Sequence, residues 1–365
     1  MAKVKDIVRH LESIAPPSLQ ESYDNASLIT GSPAMEVTGV LITLDCIESV
    51  VEEAIAEDCN MIVAHHPIVF RGLKQLNGKN YVERTVIKAI KNDIAIYAIH
   101  TNLDNVVNGV NRKICDKLGL TNLKILSPKK GTLQKLVTFI PVADSEEVIE
   151  SMHRAGAGNI GNYSDCSFRI TGTGYFRPNQ DADPTIGTSG ELEEVEENRV
   201  ELIYPKHLQG SVLNALKSAH PYEEVAYYIS DLENSNQEIG AGMIGDLPIE
   251  MTANEFLYYL KDKMDLNTIR YTEKSQPKIK KVAVCGGAGS FLLGKAKSRR
   301  ADAFVTADFK YHEFFDAEGQ IMIADIGHYE SEIFTKELLH SFLTEKFANI
   351  ATCLSRVDTN PVKYF

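Results

Sequence analysis

Two adjacent histidines, His65 and His66, follow the apolar run MIVA and stand directly before Pro67. Proline continues neither a helix nor a central strand, so the strand predicted for MIVA ends at this pair. Neighbouring side chains of a regular strand face opposite ways, so both imidazoles address one site only where the backbone turns, or else they serve two different ions. Such a pair alone is more often structural, and a metal site requires further ligands.

The next apolar run, IAIYAIH, ends in His100, and Asp104 follows in HTNLD. Open α/β sheets bind ligands beyond the carboxyl ends of their strands, which is where both side chains are predicted to lie. By itself Asp104 would be interpreted as the cap of a helix or turn. Its position after the strand next to the histidine pair favours a ligand role.

A third strand end lies near the C-terminus, where the run IMIADIG is followed by His328 and Glu332. Residues four apart share one face of a helix, so this imidazole and this carboxylate can converge on one ion. The alternative is an ordinary surface pair on an amphipathic helix.

Together the three strand ends predict a metal centre without cysteine ligands. Its nitrogen and oxygen donors suit zinc, manganese or iron. Five ligands exceed what one catalytic ion takes, because such an ion keeps a position open, so we expect two divalent ions about 3.5–4 Å apart with Glu332 as the bridge. The predicted metal ligands are His65, His66, Asp104, His328 and Glu332.

Two further histidines are candidates for proton transfer in catalysis. His100 ends a predicted strand and His312 follows another in DFKYHEF, and imidazole titrates near neutral pH. For each of them, packing or support of a ligand is an equally open interpretation. The segment GSFLLGK has the spacing of a P-loop, but Ala296 stands where Ser or Thr would bind magnesium, so no nucleotide P-loop is predicted.

The elements that must position these side chains alternate between strands and helices on both flanks of the chain. This alternation predicts an α/β fold with a mainly parallel sheet. Between the flanks, residues 131–234 follow the order strand, helix, strand, strand, helix, strand, which is typical of a ferredoxin-like unit. We therefore expect one discontinuous α/β domain, residues 1–130 with 235–365, split by a ferredoxin-like insertion.

Capping signals mark the start of two helices. Asp144 is followed by Glu147 three residues later, and Thr252 stands in the same relation to Glu255. The longest helix on the C-terminal side is predicted over residues 328–347, which places the His–Glu pair in its first turns.

The composition is that of an ordinary globular protein, with 365 residues of which 44% are apolar and 24% charged. A net charge of −12 repels phosphate backbones and anionic lipids, so nucleic acids and membranes are not expected partners. The six cysteines form no C-x-x-C pair, so the usual cysteine metal and redox motifs are excluded. The N-terminus lacks a signal-peptide pattern and no apolar run reaches 18 residues, so we expect a cytoplasmic protein.

A family resemblance adds to these observations. The segments that carry it lie on both flanks and read YDNASLITG, LITLD, IVAHHPIVF, HTNLD, GGAGS, TADFKYHE and DIGHYESE. In combination they resemble the Nif-three-like dinuclear metal-centre family, many of whose members are called GTP cyclohydrolase 1 type 2 homologs. The segment HPYEEVAYYI resembles the CutA-like or PII-like insertion of the longer members.

The resemblance implies two divalent ions, one held chiefly by His65 and His328 and the other by His66 and Asp104, with Glu332 bridging them. It also implies a toroidal homohexamer whose metal sites face an inner cavity. The implied activity is metal-dependent hydrolysis, as in a GTP cyclohydrolase, acting on a nucleotide or another small molecule. A metal-binding, trafficking or regulatory assembly without turnover uses the same ligands and is the alternative.

Overall fold

The computed structural model describes residues 2–276 and 278–365. Its strands are β1 (Leu28–Thr30), β2 (Gly39–Thr43), β3 (Met61–Ala64), β4 (Ala95–Ala98), β5 (Thr121–Pro128), β6 (Leu133–Pro141), β7 (Phe168–Phe176), β8 (Glu193–Pro205), β9 (Tyr227–Leu232), β10 (Gly240–Thr252), β11 (Arg270–Tyr271), β12 (Lys278–Ala288), β13 (Ala303–Ala307), β14 (Met322–Asp325) and β15 (Ala351–Leu354). Its helices are α1 (Val4–Ile14), α2 (Glu48–Ala56), α3 (Tyr81–Lys91), α4 (Thr101–Asp104), α5 (Val110–Lys117), α6 (Ser145–Arg154), α7 (Gln209–Ala219), α8 (Ala253–Met264), α9 (Leu293–Ser298), α10 (His328–Glu332) and α11 (Thr335–Lys346).

The chain has a mixed α/β fold and divides into two compact units. The first unit runs to Pro128 and resumes over Glu238–Phe365, and the second is Lys129–Gln237. None of the helices in the described residues combines the length and the apolar character that a membrane crossing requires.

The first unit contains a five-stranded sheet in the order β1-β4-β3-β2-β15. Strands β4, β3, β2 and β15 are parallel neighbours, and β1 pairs with β4 in the antiparallel direction. Every residue of β2, β3 and β4 is buried, as expected for parallel strands covered on both faces. Alternate residues serve opposite faces, since Val63 packs in one apolar cluster with Ile7 of α1 and Ile62 in another with Val50 of α2.

A second sheet of the same unit has the order β11-β14-β13-β12-β10-β5. Strands β12, β13 and β14 are parallel, and the remaining neighbours are antiparallel. Each sheet takes a strand from the opposite flank, because β15 joins the N-terminal strands and β5 joins the C-terminal ones. We expected one mainly parallel sheet and find two, since the pairing of distant strands depends on tertiary packing that local periodicity does not report.

Two predicted helix features differ from the structure and one agrees. The capping box of α8 is confirmed, since Glu255 N–H donates to Oγ1 of Thr252 at 3.3 Å and Thr252 N–H to Oε2 of Glu255 at 2.7 Å. The predicted cap at Asp144 is wrong, because this residue already has helical dihedral angles at the end of a 3₁₀ turn and its side chain makes no capping bond. The helix predicted over residues 328–347 is interrupted between α10 and α11.

The second unit contains β6, α6, β7, β8, α7 and β9 in chain order. Its four strands form one sheet in the order β7-β8-β6-β9, and every neighbouring pair is antiparallel. Leu136 and Leu202 from the central strands pack against Val148 of α6 and Leu216 of α7. Both helices therefore cover the same core.

Candidate metal centre

His65 and His66 lie at the carboxyl end of β3, where their backbone N–H groups donate to the carbonyl oxygens of Thr43 and Leu44. The pairing with the neighbouring strand thus continues through both histidines. His65 is fully buried, and its Nδ1 donates to the carbonyl oxygen of Ile99 at 2.8 Å. Because a carbonyl oxygen only accepts, Nδ1 carries the proton, which leaves Nε2 as the nitrogen that can ligate a cation.

His66 is held at both ring nitrogens. Its Nδ1 donates to Oδ1 of Asp45 at 2.7 Å, and its Nε2 lies 2.9 Å from Oε2 of Glu332. Asp45 follows β2, which pairs with β3. The end of one strand therefore orients the imidazole at the end of the next.

His328 begins α10 directly after Gly327, whose φ of 94° lies in the region that glycine favours. Its Nδ1 donates to Oδ2 of Asp308 at 2.7 Å, and its Nε2 lies 3.1 Å from Oε2 of Glu332. His328 and Glu332 therefore meet on one face of α10, as their spacing predicts. The same carboxylate oxygen contacts the imidazoles of His66 and His328.

Two buried polar atoms in this cluster lack hydrogen-bond partners among the described residues: Nε2 of His65 and Oδ1 of Asp104. They lie 3.6 Å apart, and Nε2 of His65 lies 3.9 Å from Oε1 of Glu332. These distances are too long for hydrogen bonds. Since buried polar atoms are rarely left unpaired, the three side chains mark a place that a cation fits.

The backbone beside Glu332 approaches too closely to leave room for a side chain. A Cβ atom on Gly287 would lie 2.6 Å from Oε1 of Glu332 and 3.3 Å from Cε1 of His328. Gly287 also has a φ of 62°, which side chains rarely adopt, and its N–H donates to Oγ of Ser331 at 2.9 Å. The carboxyl end of β12 therefore encloses the carboxylate.

His100 lies at the end of β4, with its ring centroid 5.3 Å from those of both His65 and His66. Its Nδ1 donates to Oδ1 of Asp24 at 2.9 Å, and Oδ2 of Asp24 accepts a 2.6 Å bond from the hydroxyl of Thr101. Burial raises the pKa of Asp24, but the hydrogen bonds from His100 and Thr101 outweigh it and lower that pKa to about 2. Asp24 is thus an anion that holds His100 toward the cluster.

Three groups of side chains have ligand atoms within 4.8 Å of one another. The groups are His66 with His328 and Glu332, His65 with Asp104 and Glu332, and His65 with His66 and His100. The grouping differs from the one that the resemblance implies, because His66 lies with His328, and His65 with Asp104. The two adjacent histidines have different Nδ1 partners, the carbonyl oxygen of Ile99 for His65 and Asp45 for His66, although their ring centroids lie 4.9 Å apart.

Hydrogen bonds between the ligand candidates shift their pKa values strongly. Burial lowers the pKa of His66, but its bonds to Asp45 and Glu332 outweigh burial and raise that pKa to about 9. The pKa of His328 rises to about 11 for the same reason, with Asp308 and Glu332 as its partners. Without cations, both imidazoles are therefore protonated at neutral pH and supply the positive charge that Glu332 requires.

Burial and the charge of Glu332 together raise the pKa of Asp104 to about 7. Burial alone would also raise the pKa of Glu332, but hydrogen bonds from the surrounding imidazoles hold it well below the ordinary value. The carboxylates of Asp104 and Glu332 have ligand oxygens within 4.8 Å of each other, so their negative charges repel. A bound cation removes that repulsion.

The fifth candidate histidine, His312, lies apart from this cluster. It is exposed in the 3₁₀ turn Tyr311–Ala317, and its ring lies 5.2 Å from that of Tyr311 and 6.4 Å from that of Phe315. Within the described part of the chain, no group of potential ligands includes it.

The sequence reasoning missed the acidic residues that orient the imidazoles. Asp45 and Asp308 each follow a strand, and Asp24 lies in the YDNASL segment. The strand-end rule that singled out Asp104 could have found the first two. A fourth missed residue, Thr359, bonds to Asp45 with a hydroxyl 314 positions away, and no local signal points to it.

The donor set fits divalent cations. Each of the four clustered imidazoles donates Nδ1–H to an oxygen, and this arrangement is the one that metal-ligating histidines adopt. Nitrogen and carboxylate donors without thiolate are consistent with zinc, manganese or iron.

A family model described as Duf34/NIF3 (NGG1p interacting factor 3) matches residues 2–361. The chain is 38% identical over 365 residues to a Bacillus subtilis protein called GTP cyclohydrolase 1 type 2 homolog, and the match covers 99% of this chain and 98% of that protein. A Staphylococcus epidermidis protein of the same name is 36% identical, with 99% of this chain and 100% of that protein covered.

Two crystal structures are also similar over the whole chain. A Bacillus cereus protein related to NIF3 has a TM-score of 0.89 at 39% identity, covering 100% of this chain and 99% of that one. A Staphylococcus aureus protein has a TM-score of 0.78 at 30% identity, with the same coverage.

Proposed function

The chain belongs to the Duf34/NIF3 (NGG1p interacting factor 3) family, and from that premise we propose that it is a hydrolase that depends on two divalent metal ions. One observation carries the proposal: Nε2 of His65 and Oδ1 of Asp104 are buried without partners beside a carboxylate that three imidazoles surround. A purely structural cluster would have paired these atoms.

In this proposal Glu332 would be a ligand shared by the two ions, because it belongs to both groups of ligand atoms. His66 and His328 complete the first set of ligands, and His65 and Asp104 complete the second, following the observed grouping. His100 is near enough to His65 and His66 to act as a further ligand. The ions are zinc, manganese or iron, because the donors are nitrogen and oxygen.

When bound, two divalent ions lower the pKa of water and polarise the group that it attacks. The chain's own residues position the ligands: Asp45 and Asp308 fix the imidazole orientations through Nδ1. His100, held by Asp24, is placed to accept or return a proton during hydrolysis if it does not ligate. The proposed role of His312 in proton transfer has no contact in the cluster to support it.

The relatives' name supports GTP as the first substrate to test. The competing proposal is a metal-binding, trafficking or regulatory assembly without turnover, and the separate compact unit Lys129–Gln237 favours it, because a unit of its own can serve as a sensor or regulator. We also propose, from the resemblance alone, a homohexamer and a CutA-like or PII-like role for that unit.

The test uses the full chain loaded with zinc or manganese, beside Glu332→Gln and the control Glu337→Gln, whose carboxylate pairs with Lys113. Metal content and turnover of GTP, other nucleotides and phosphoesters are measured together. In the wild type and the control we expect two ions per chain and turnover. In Glu332→Gln we expect the metal content and the turnover to be lost. Two bound ions in the wild type and the control, with near-zero turnover in all three proteins, would contradict the hydrolase and favour the assembly.

A further inference from the structure

A cavity of about 440 Å³ opens beside the candidate metal centre, with His66 and His328 in its wall. Its volume is in the range of small-molecule sites. The C-terminal residues Asn360, Val362 and Tyr364 form another part of the lining. The cavity therefore offers space for a substrate that reaches the metal centre.

The carboxylates in the cavity wall are already engaged by neighbouring donors. Asp325, which is 4% exposed, accepts from the backbone N–H groups of Phe309 and Gly327. Oε1 of Glu330 accepts from the side-chain amide of Asn360 at 3.1 Å. The other two, Asp45 and Asp308, accept from His66 and His328.

Arg270 is the one Lys or Arg in the cavity lining of the described chain. Its Nη2 donates to Oδ2 of Asp325 and to the carbonyl oxygen of Phe309, and its guanidinium carbon lies 5.4 Å from the ring centroid of Phe314. These contacts hold the guanidinium in one orientation. The side chain lines the cavity and is still 59% exposed, so the guanidinium is open to a ligand there.

A guanidinium held in this way presents donors in the fork geometry that matches carboxylate and phosphate oxygens. We infer that the cavity binds a small-molecule substrate through an oxyanion on Arg270, while the reacting group lies beside His66 and His328. The substrate therefore carries at least one carboxylate or phosphate group in addition to the group that reacts. This inference rests on the proposed metal-dependent function.

The opposing interpretation is that Arg270 only joins two strands. It stands directly opposite Asp325 in the pairing of β11 with β14, so their ion pair could serve the sheet alone. The two interpretations predict different affinities for a ligand with a second oxyanion. If Arg270 binds the ligand, the second oxyanion strengthens binding through Arg270, whereas if Arg270 only joins the strands, it does not.

The full chain is loaded with Mn²⁺, freed of excess metal, and titrated by calorimetry with methylphosphonate and with methylenediphosphonate, which adds a second oxyanion. Acetate and malonate form the carboxylate arm and show which oxyanion is preferred. The variants are Arg270→Gln and Arg270→Lys, with Arg84→Gln as the matched control, because Arg84 also pairs with a carboxylate but does not line the cavity. Metal content is measured before and after each titration.

We expect the two-oxyanion ligand of at least one arm to bind about tenfold to a hundredfold more tightly than its one-oxyanion counterpart, as for a charged hydrogen-bonded pair. Arg270→Gln should lose this advantage, Arg270→Lys should keep part of it, and Arg84→Gln should keep it all. If Arg270→Gln does not fold, Arg270→Lys carries the comparison through a partial loss. The inference is overturned, and the proposed function is not, if the two-oxyanion ligand keeps its full affinity advantage in the Arg270 variants or if no anion binds the metal-loaded protein. Failure of the protein to retain Mn²⁺ overturns the proposed function as well.

Discussion

The hydroxyl of Thr359 donates a 2.6 Å hydrogen bond to Oδ2 of Asp45, whose Oδ1 accepts from Nδ1 of His66 at 2.7 Å. Thr359 lies in the C-terminal segment after β15, and its side chain is buried. One carboxylate thus connects the end of the chain to a metal-ligand candidate. The C-terminal segment therefore supports the candidate metal centre through Asp45.

Thr359→Val removes this donor and keeps the shape of the side chain. Asp45 then has one oxygen unpaired and holds His66 less firmly, so we expect zinc affinity to fall about tenfold, as for other residues that orient metal ligands. Competition with a chromophoric chelator measures it. Thr359→Ser should restore the affinity, and Thr38→Val, which removes a hydroxyl bonded to the carbonyl oxygen of Asp58, should leave it unchanged. Wild-type affinity in Thr359→Val would refute the role of Thr359.

Gly287→Ala places a methyl group 2.6 Å from Oε1 of Glu332 at a φ of 62°. We expect a loss of about 1–3 kcal/mol in the free energy of unfolding and a lower metal content, because both the backbone and the carboxylate must shift. The control is Gly294→Ala in α9, where a Cβ meets nothing within 4 Å. That change should stabilise the protein by about 0.5–1 kcal/mol. Chemical denaturation with elemental analysis separates the two effects, and equal stabilities of the variants would contradict the predicted clash.

Metal binding should release protons at neutral pH. The pKa values of His66 and His328 are raised to about 9 and about 11 in the metal-free protein, so both rings are protonated at pH 7 and must lose protons to bind metal. Affinity should therefore increase with pH through about 9, well above the ordinary histidine pKa of about 6.5. Calorimetry in two buffers with different ionisation enthalpies measures the number of protons released. A value of zero at pH 7, or an affinity independent of pH, would show that these rings are not ligands.

The same protonation stabilises the metal-free fold. Because both histidine pKa values are higher in the folded than in the unfolded chain, the stabilisation is complete below about pH 6.5 and is lost as the pH rises through about 9 and 11. Denaturation with chelator present should therefore show stability decreasing from about pH 6.5 upward, with the contribution of His66 lost by about pH 9 and that of His328 by about pH 11. His66→Gln should flatten this decrease, and an unchanged slope would contradict the assigned partners.

The histidines His100 and His312 should respond differently to removal. His100→Ala should lower zinc affinity at least about tenfold, since its ring lies beside His65 and His66 and is held by Asp24. His312→Ala should not change the affinity, because His312 lies in an exposed turn. The two variants serve as controls for each other in the same chelator assay. Equal affinities would remove His100 from the set of ligand candidates.

Local patterns in the sequence were sufficient for the class of fold and for many of its elements. The apolar runs around residues 41, 62 and 96 became buried parallel strands, and the capping pair Thr252 and Glu255 marks the start of α8. Both signals act over a few residues, so periodicity and hydrogen-bonding chemistry reveal them. The division into two sheets was not predictable in this way, because β15 and β5 each pair with strands far away in the chain.

The sequence by itself determined which residue types could ligate a cation and that they follow strands, because both follow from local chemistry and the alternation of strands and helices. Only the tertiary structure decided that His65 lies with Asp104 and His66 with His328, and that a threonine 314 residues away supports Asp45. It also placed His312 outside the cluster. Contacts between such distant residues arise when strands and turns pack against one another. They depend on side-chain positions to within a few ångströms, which no local spacing encodes.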